Sequence, residues 1–119
     1  MSNYDLEKRT LEFSVQLIQT LKSLPKNLYN YKAIQQVISS GTSIGANYME
    51  ANGAESRKDF IHKIRISLKE SKETRYWLSI LIRTNLTMID ELTDLRNKSN
   101  EFVLIFGKIT SSNNHVCKL

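Results

Sequence analysis

Residues 56–83, SRKDFIHKIRISLKESKETRYWLSILIR, decide the fold class of this chain. Phe60, Ile64, Leu68, Ser71, Leu78 and Ile82 fall at steps that place side chains on one side of an α-helix. Ser56 stands three residues before Asp59, a capping box with aspartate where glutamate or glutamine is usual. The helix is therefore expected to open at Ser56 and to run to about Arg83. On another side, Lys58, His62, Arg65, Lys69, Lys72 and Tyr76 fall within about 80° of one another at about 100° per residue. Like-charged neighbours along this ribbon cost about 0.2–0.5 kcal/mol per pair in an isolated helix. Asp59 before Lys63, and Lys69 before Glu73, offset only part of that cost. Two explanations are open. The ribbon is either the solvated outer face of a bundle or, over about 27 Å at 1.5 Å per residue, a surface for several phosphates, where released counterions supply affinity without base readout.

Ile66, Trp77 and Ile80 lie outside both the apolar stripe and the ribbon. A large apolar side chain in that position either leans onto a neighbouring helix or marks a subunit interface. Arg75 falls near the stripe, where its aliphatic stem can pack while its head reaches outward.

The flanking segments repeat the helical period. Leu6, Thr10, Phe13, Leu17, Leu21 and Leu24 mark a first helix over about 5–24, stopped by Pro25. Ile34, Val37, Ile38, Gly41, Ile44, Gly45 and Tyr48 mark a second over about 28–51. Glycine costs about 1 kcal/mol inside a helix, so Gly41 and Gly45 imply close approach of another backbone, with Ser39, Ser40 and Ser43 as small packing residues. Gly53 is placed to cap this helix. Met88, Leu92, Leu95, Phe102, Phe106 and Ile109 mark a fourth helix over about 87–110, leaving a polar tail at 111–119. No segment alternates as a strand. One domain, an all-α antiparallel up-and-down four-helix bundle spanning 1–119, is the expected architecture.

With 119 residues the chain is long enough to bury roughly two thirds of its unfolded surface. The N-terminal MSNYDLEKRTLEF lacks an apolar core of the secretory type, and the runs WLSILI and FVLIF are far short of a bilayer span. A soluble, cytoplasmic protein without a membrane partner is expected. Cys117 is the single cysteine, which excludes an internal disulfide and a cysteine zinc cluster. The net charge of +5 suits a polyanionic partner.

Signals for catalysis are thin. Arg57 and His62 have the Arg-x4-His spacing that resembles the pair of HEPN ribonucleases, in which histidine would act as acid or base and arginine would stabilise a phosphorane. The RK dipeptide lacks the polar second residue typical of that motif. A di-metal bundle needs carboxylates from several helices and two Glu-x-x-His pairs. Only Asp59-x-x-His62 comes near, and His115 has Ser112 at that offset. No phosphate loop or nucleophile elbow occurs, and Glu50 and Glu55 flank the second loop without forming an acid/base pair. No metal or cofactor is expected.

Residues 42–81, TSIGANYMEANGAESRKDFIHKIRISLKESKETRYWLSIL, resemble the four-helix bundle family of the 23S rRNA intervening-sequence protein. The resemblance is carried by Ser43, Ile44, Asn47 and Glu50, then by Ser56, Asp59 and Phe60, then by Glu73 after Glu70-Ser71; it departs at EANGAES, where many members have a Glu-Gly pair. It implies an antiparallel bundle assembled as a homopentamer, without an established enzymatic activity. Some members are encoded inside intervening sequences of bacterial 23S rRNA genes. The accessory protein of diversity-generating retroelements is similar in fold and binds nucleic acid and a reverse transcriptase.

The expectation is thus a non-enzymatic helical oligomer that binds RNA or DNA through Lys58, Arg65, Lys69 and Lys72, with His62 and Tyr76 hydrogen-bonding or stacking and Ile66, Trp77 and Ile80 between subunits. A ring of subunits would multiply a weak ribbon into an avid one. The alternatives are a protein-binding scaffold, for which the ribbon is idle, and a ribonuclease built on Arg57 and His62.

Overall fold

The computed structural model describes the backbone of residues 3–118 and the side chains of residues 5–111. Four helices account for nearly all of it: α1 (Asn3–Lys22), α2 (Leu28–Asn52), α3 (Arg57–Thr84) and α4 (Ile89–Lys118). No strand occurs among the described residues. Each helix packs on its two neighbours in a closed circuit, α1 on α2, α2 on α3, α3 on α4 and α4 back on α1. Cross-contacts fix the antiparallel order. Arg9 meets Glu101 while Gln16 meets Asp94, and Ser40 meets Thr74 while Glu50 meets Lys63. The result is a rod of 50 × 23 × 22 Å.

The expected stripe of α1 is buried at every position from Leu6 to Leu24. In α4, Leu92, Leu95, Phe102 and Phe106 are buried, with Phe13 edge-on to Phe102 and Phe102 stacked on Phe106. The glycines of α2 serve the neighbouring helix α1. A Cβ on Gly45 would lie 2.8 Å from Thr10 Oγ1 and 2.9 Å from Thr10 Cβ, and one on Gly41 would collide with Leu17. Ser40 packs inside and meets the Thr74 hydroxyl, whereas Ile38, expected in the core line, and Ser39, expected as a packing residue, are both exposed.

Helix α3 is rotated from its expected stripe. Its buried line is Ile61, Ile64, Ser67, Ser71, Thr74, Leu78 and Leu81, while Phe60, Leu68 and Ile82 are half-buried at its flanks. Small hydroxyl residues let α2 approach. Their polar atoms are satisfied: Ser67 donates to the Ile44 carbonyl at 2.9 Å, and Ser71 and Thr74 donate one turn back to Ser67 and Glu70. A hydroxyl that returns its hydrogen bond to its own helix costs little on burial.

Helix ends follow local chemistry. Ser56 caps α3, its Oγ accepting from the Asp59 amide at 3.1 Å. Asn27 caps α2 through the amides of Tyr29 and Asn30. Gly53 caps the other end of α2 at φ −97°, without the left-handed conformation. α1 ends at Lys22, before the expected Leu24, and Lys26 Nζ donates to the carbonyls of Leu21, Lys22 and Leu24. α4 starts at Ile89, because Met88 has φ 62° and leads in from outside the helix. Its backbone stays helical through Lys118, into the stretch expected as a polar tail. Beside the α3–α4 turn, Asn30 and Asn85 exchange amide hydrogen bonds of 3.0 and 3.1 Å.

Candidate nucleic-acid interface

Because α3 turns Ser67 and Thr74 to α2 and Arg75 to Asn100 of α4, the remaining arc of the helix faces out. That arc carries Lys58, His62, Arg65, Lys69, Lys72 and Tyr76, every one of them exposed. Lys63 lies off the ribbon. Its Nζ meets Glu50 Oε1 of α2 at 2.8 Å rather than Asp59, and the hydrogen bond and charge of Glu50 raise the lysine pKa above its ordinary value. Lys69 and Glu73 form no ion pair, and neither Lys58 nor Lys72 has a carboxylate at ion-pair distance. Lys58, Lys69 and Lys72 therefore keep their positive charge on the surface.

At its far end the ribbon opens into a cleft of about 640 Å³ between α3 and α4. Helix α3 lines it with Lys72, Arg75, Tyr76 and Ser79; α4 contributes Arg96, Asn97 and Asn100. No acidic side chain lines it. Arg75 Nη1 donates to Asn100 Oδ1 at 2.7 Å, which fixes the guanidinium across the cleft. Tyr76 stands edge-on to Trp77, ring centroids 5.2 Å apart, and is 60% exposed. The sequence could show Arg96, Asn97 and Asn100 only as polar positions of α4. Nothing along the chain gives the register that sets them opposite Arg75.

Ile66, Trp77 and Ile80 are each half-buried, and Trp77 packs against the core. More apolar surface is exposed elsewhere. Leu11 is 65% and Val15 48% exposed, with Ile18 beside them on α1 and Ile38 and Met49 on α2. Asn52 of α2 reaches Glu7 of α1, and Gly45 lies against Thr10, so the line 38–45–49–52 runs along the α1–α2 seam. Leu11, Val15 and Ile18 do show helical spacing in the sequence, as a second stripe overshadowed by the core line.

Arg57 and His62 are about 140° apart around α3 at 3.6 residues per turn. Arg57 lines a cleft of about 470 Å³ at the α2–α3 turn with Glu55 and Phe60, whereas His62 belongs to the ribbon. Among the described residues no three His, Cys, Asp or Glu side chains gather as metal ligands. His115 and Cys117 lie outside the described side chains. No helix among the described residues is long and apolar enough to cross a membrane.

Residues 2–107 match the family model described as 23S rRNA-intervening sequence protein. A crystal structure of a protein with unknown function from the S23 ribosomal protein family of Bacteroides thetaiotaomicron VPI-5482 superposes with a TM-score of 0.82. It is 38% identical, over 93% of this chain and 99% of that one. No curated protein matches.

Proposed function

The chain belongs to the 23S rRNA-intervening sequence protein family, and on that premise we propose that it is a non-enzymatic, cytoplasmic oligomer holding RNA or DNA by its phosphates. The carrying observation is the ribbon of α3, on which Lys58, Lys69 and Lys72 stand exposed without ion pairs. Displacing counterions from a phosphate backbone is what such a row of cations does best, and it requires no base readout. Copies of the chain meet through the apolar α1–α2 seam at Leu11, Val15 and Ile18, residues more exposed than the half-buried Ile66, Trp77 and Ile80.

Fluorescence anisotropy of a labelled structured RNA across a salt series tests the reading. Lys58→Glu/Lys69→Glu is the informative variant, because neither lysine lines the α3–α4 cleft. The expected slope of log K against log[salt] is about −3 to −4 in the wild type, falling by about two units in magnitude in the variant. Wild-type protein that leaves the RNA free at low salt would make the ribbon a solubilising face, and the exposed α1–α2 seam would then point to a protein scaffold.

A further inference from the structure

The α3–α4 cleft differs in kind from the ribbon that leads into it. Arg75 and Arg96 are half-buried, line one concavity with Lys72, and make no ion pair with a carboxylate. Partly desolvated cations that line one cleft repel, and an anion seated among them reduces both the repulsion and the cost of the missing counter-charge. Arginine is suited to that role because its planar fork matches a phosphate with two parallel hydrogen bonds. The rest of the lining is chosen for something besides charge. Asn100 spends its Oδ1 on Arg75 and keeps its amide N–H groups, and Asn97 adds a second amide able to donate and accept. Tyr76 presents a ring that is 60% exposed at the edge of the same cleft, braced by Trp77.

We propose that this cleft seats one unpaired nucleotide of a single strand, with its phosphate held by Arg75, Arg96 and Lys72 and its base stacked on Tyr76 beside the amides of Asn97 and Asn100. The proposal rests on the assignment of α3 to nucleic acid and narrows it to a strand with an unpaired base. A volume of about 640 Å³ is in the range of small-ligand sites, about 300–1,000 Å³. A duplex cannot use the cleft. Its phosphates lie on a convex surface and its bases are already stacked on one another, so none reaches Tyr76 without being unpaired. Lys72 and Tyr76 belong to both features, so a strand laid along the ribbon runs into the cleft.

The test compares two labelled probes by anisotropy at low salt, an octauridylate and a blunt-ended RNA duplex. Against the octauridylate, Arg75→Gln/Arg96→Gln is expected to lose about tenfold or more in affinity, and Tyr76→Ala about as much, while Tyr76→Phe keeps the stacking ring and stays near wild type. The duplex is expected to bind Arg75→Gln/Arg96→Gln, whose residues lie outside the ribbon, within about threefold of wild type, and to be weakened instead by Lys58→Glu/Lys69→Glu. Circular dichroism confirms that each variant is folded. Octauridylate binding that ignores the cleft substitutions, equal weakening of both probes, or no octauridylate binding to the wild type would each overturn the proposal. Octauridylate binding that depends on Arg75 and Arg96, with no duplex binding at all, would uphold the cleft and remove the ribbon. The two assignments therefore fail on different probes.

Discussion

Glu70 sits half-buried on α3 with Glu73 one turn further on and Lys69 beside it. Burial and the Glu73 charge raise its pKa above the ordinary glutamate value, and Lys69 opposes them. The folded chain thus holds this proton more tightly than the unfolded chain does. The ionised carboxylate is a cost to the fold, present above the raised pKa and relieved as pH falls through it. Glu70→Gln should stabilise the protein by about 0.2–0.5 kcal/mol at pH 7, the scale of one like-charge pair. The gain should shrink on acidification and vanish below the unfolded glutamate pKa of about 4.3. Thermal melts of both proteins across that range measure it, and a variant less stable at pH 7 would mean that Glu70 holds an attractive contact. Residue identities along α3 reveal the Glu70–Glu73 spacing, but the desolvation that dominates the shift is a product of packing and leaves no local trace.

Each of the four helices is legible as an element, because a stripe at helical period must be buried somewhere, and Leu6 to Leu24 shows this without exception. The rotation of α3 was not legible. A sequence stripe is drawn through the largest apolar residues, whereas α2 comes closest where α3 is smallest, at Ser67, Ser71 and Thr74, all fully buried. Caps are the most local features and the most readable. Ser56 is the start of α3 in both sequence and structure, its Oγ accepting from the Asp59 amide. Ser56→Ala should cost about 1 kcal/mol of stability, seen as a lower denaturant midpoint at unchanged m-value. No loss would mean that water satisfies the Asp59 amide equally well. The entry to α4 escaped detection, since Met88 at φ 62° is a conformation that a non-glycine residue seldom adopts.

At the scale of the whole molecule, the charged ribbon and the apolar seam occupy different helices, α3 for the first and α1 with α2 for the second. A chain assembled through the seam keeps the ribbon open to phosphates. Leu11→Glu/Val15→Glu should reduce an oligomer to monomers in light scattering after gel filtration, with helicity unchanged because both side chains are already exposed. A wild type that elutes as a monomer would remove the seam as a contact between copies. The sequence alone determined the fold class, the spacing of the ribbon and the family likeness, because helical period, caps and charge spacing are properties of neighbours along the chain. Tertiary structure alone decided the rotation of α3, the exposure of Leu11 and Val15, and the gathering of Arg75, Arg96 and Asn100 on one cleft. These depend on the register between helices, which is set by how small residues such as Gly41, Gly45 and Ser67 let neighbours approach.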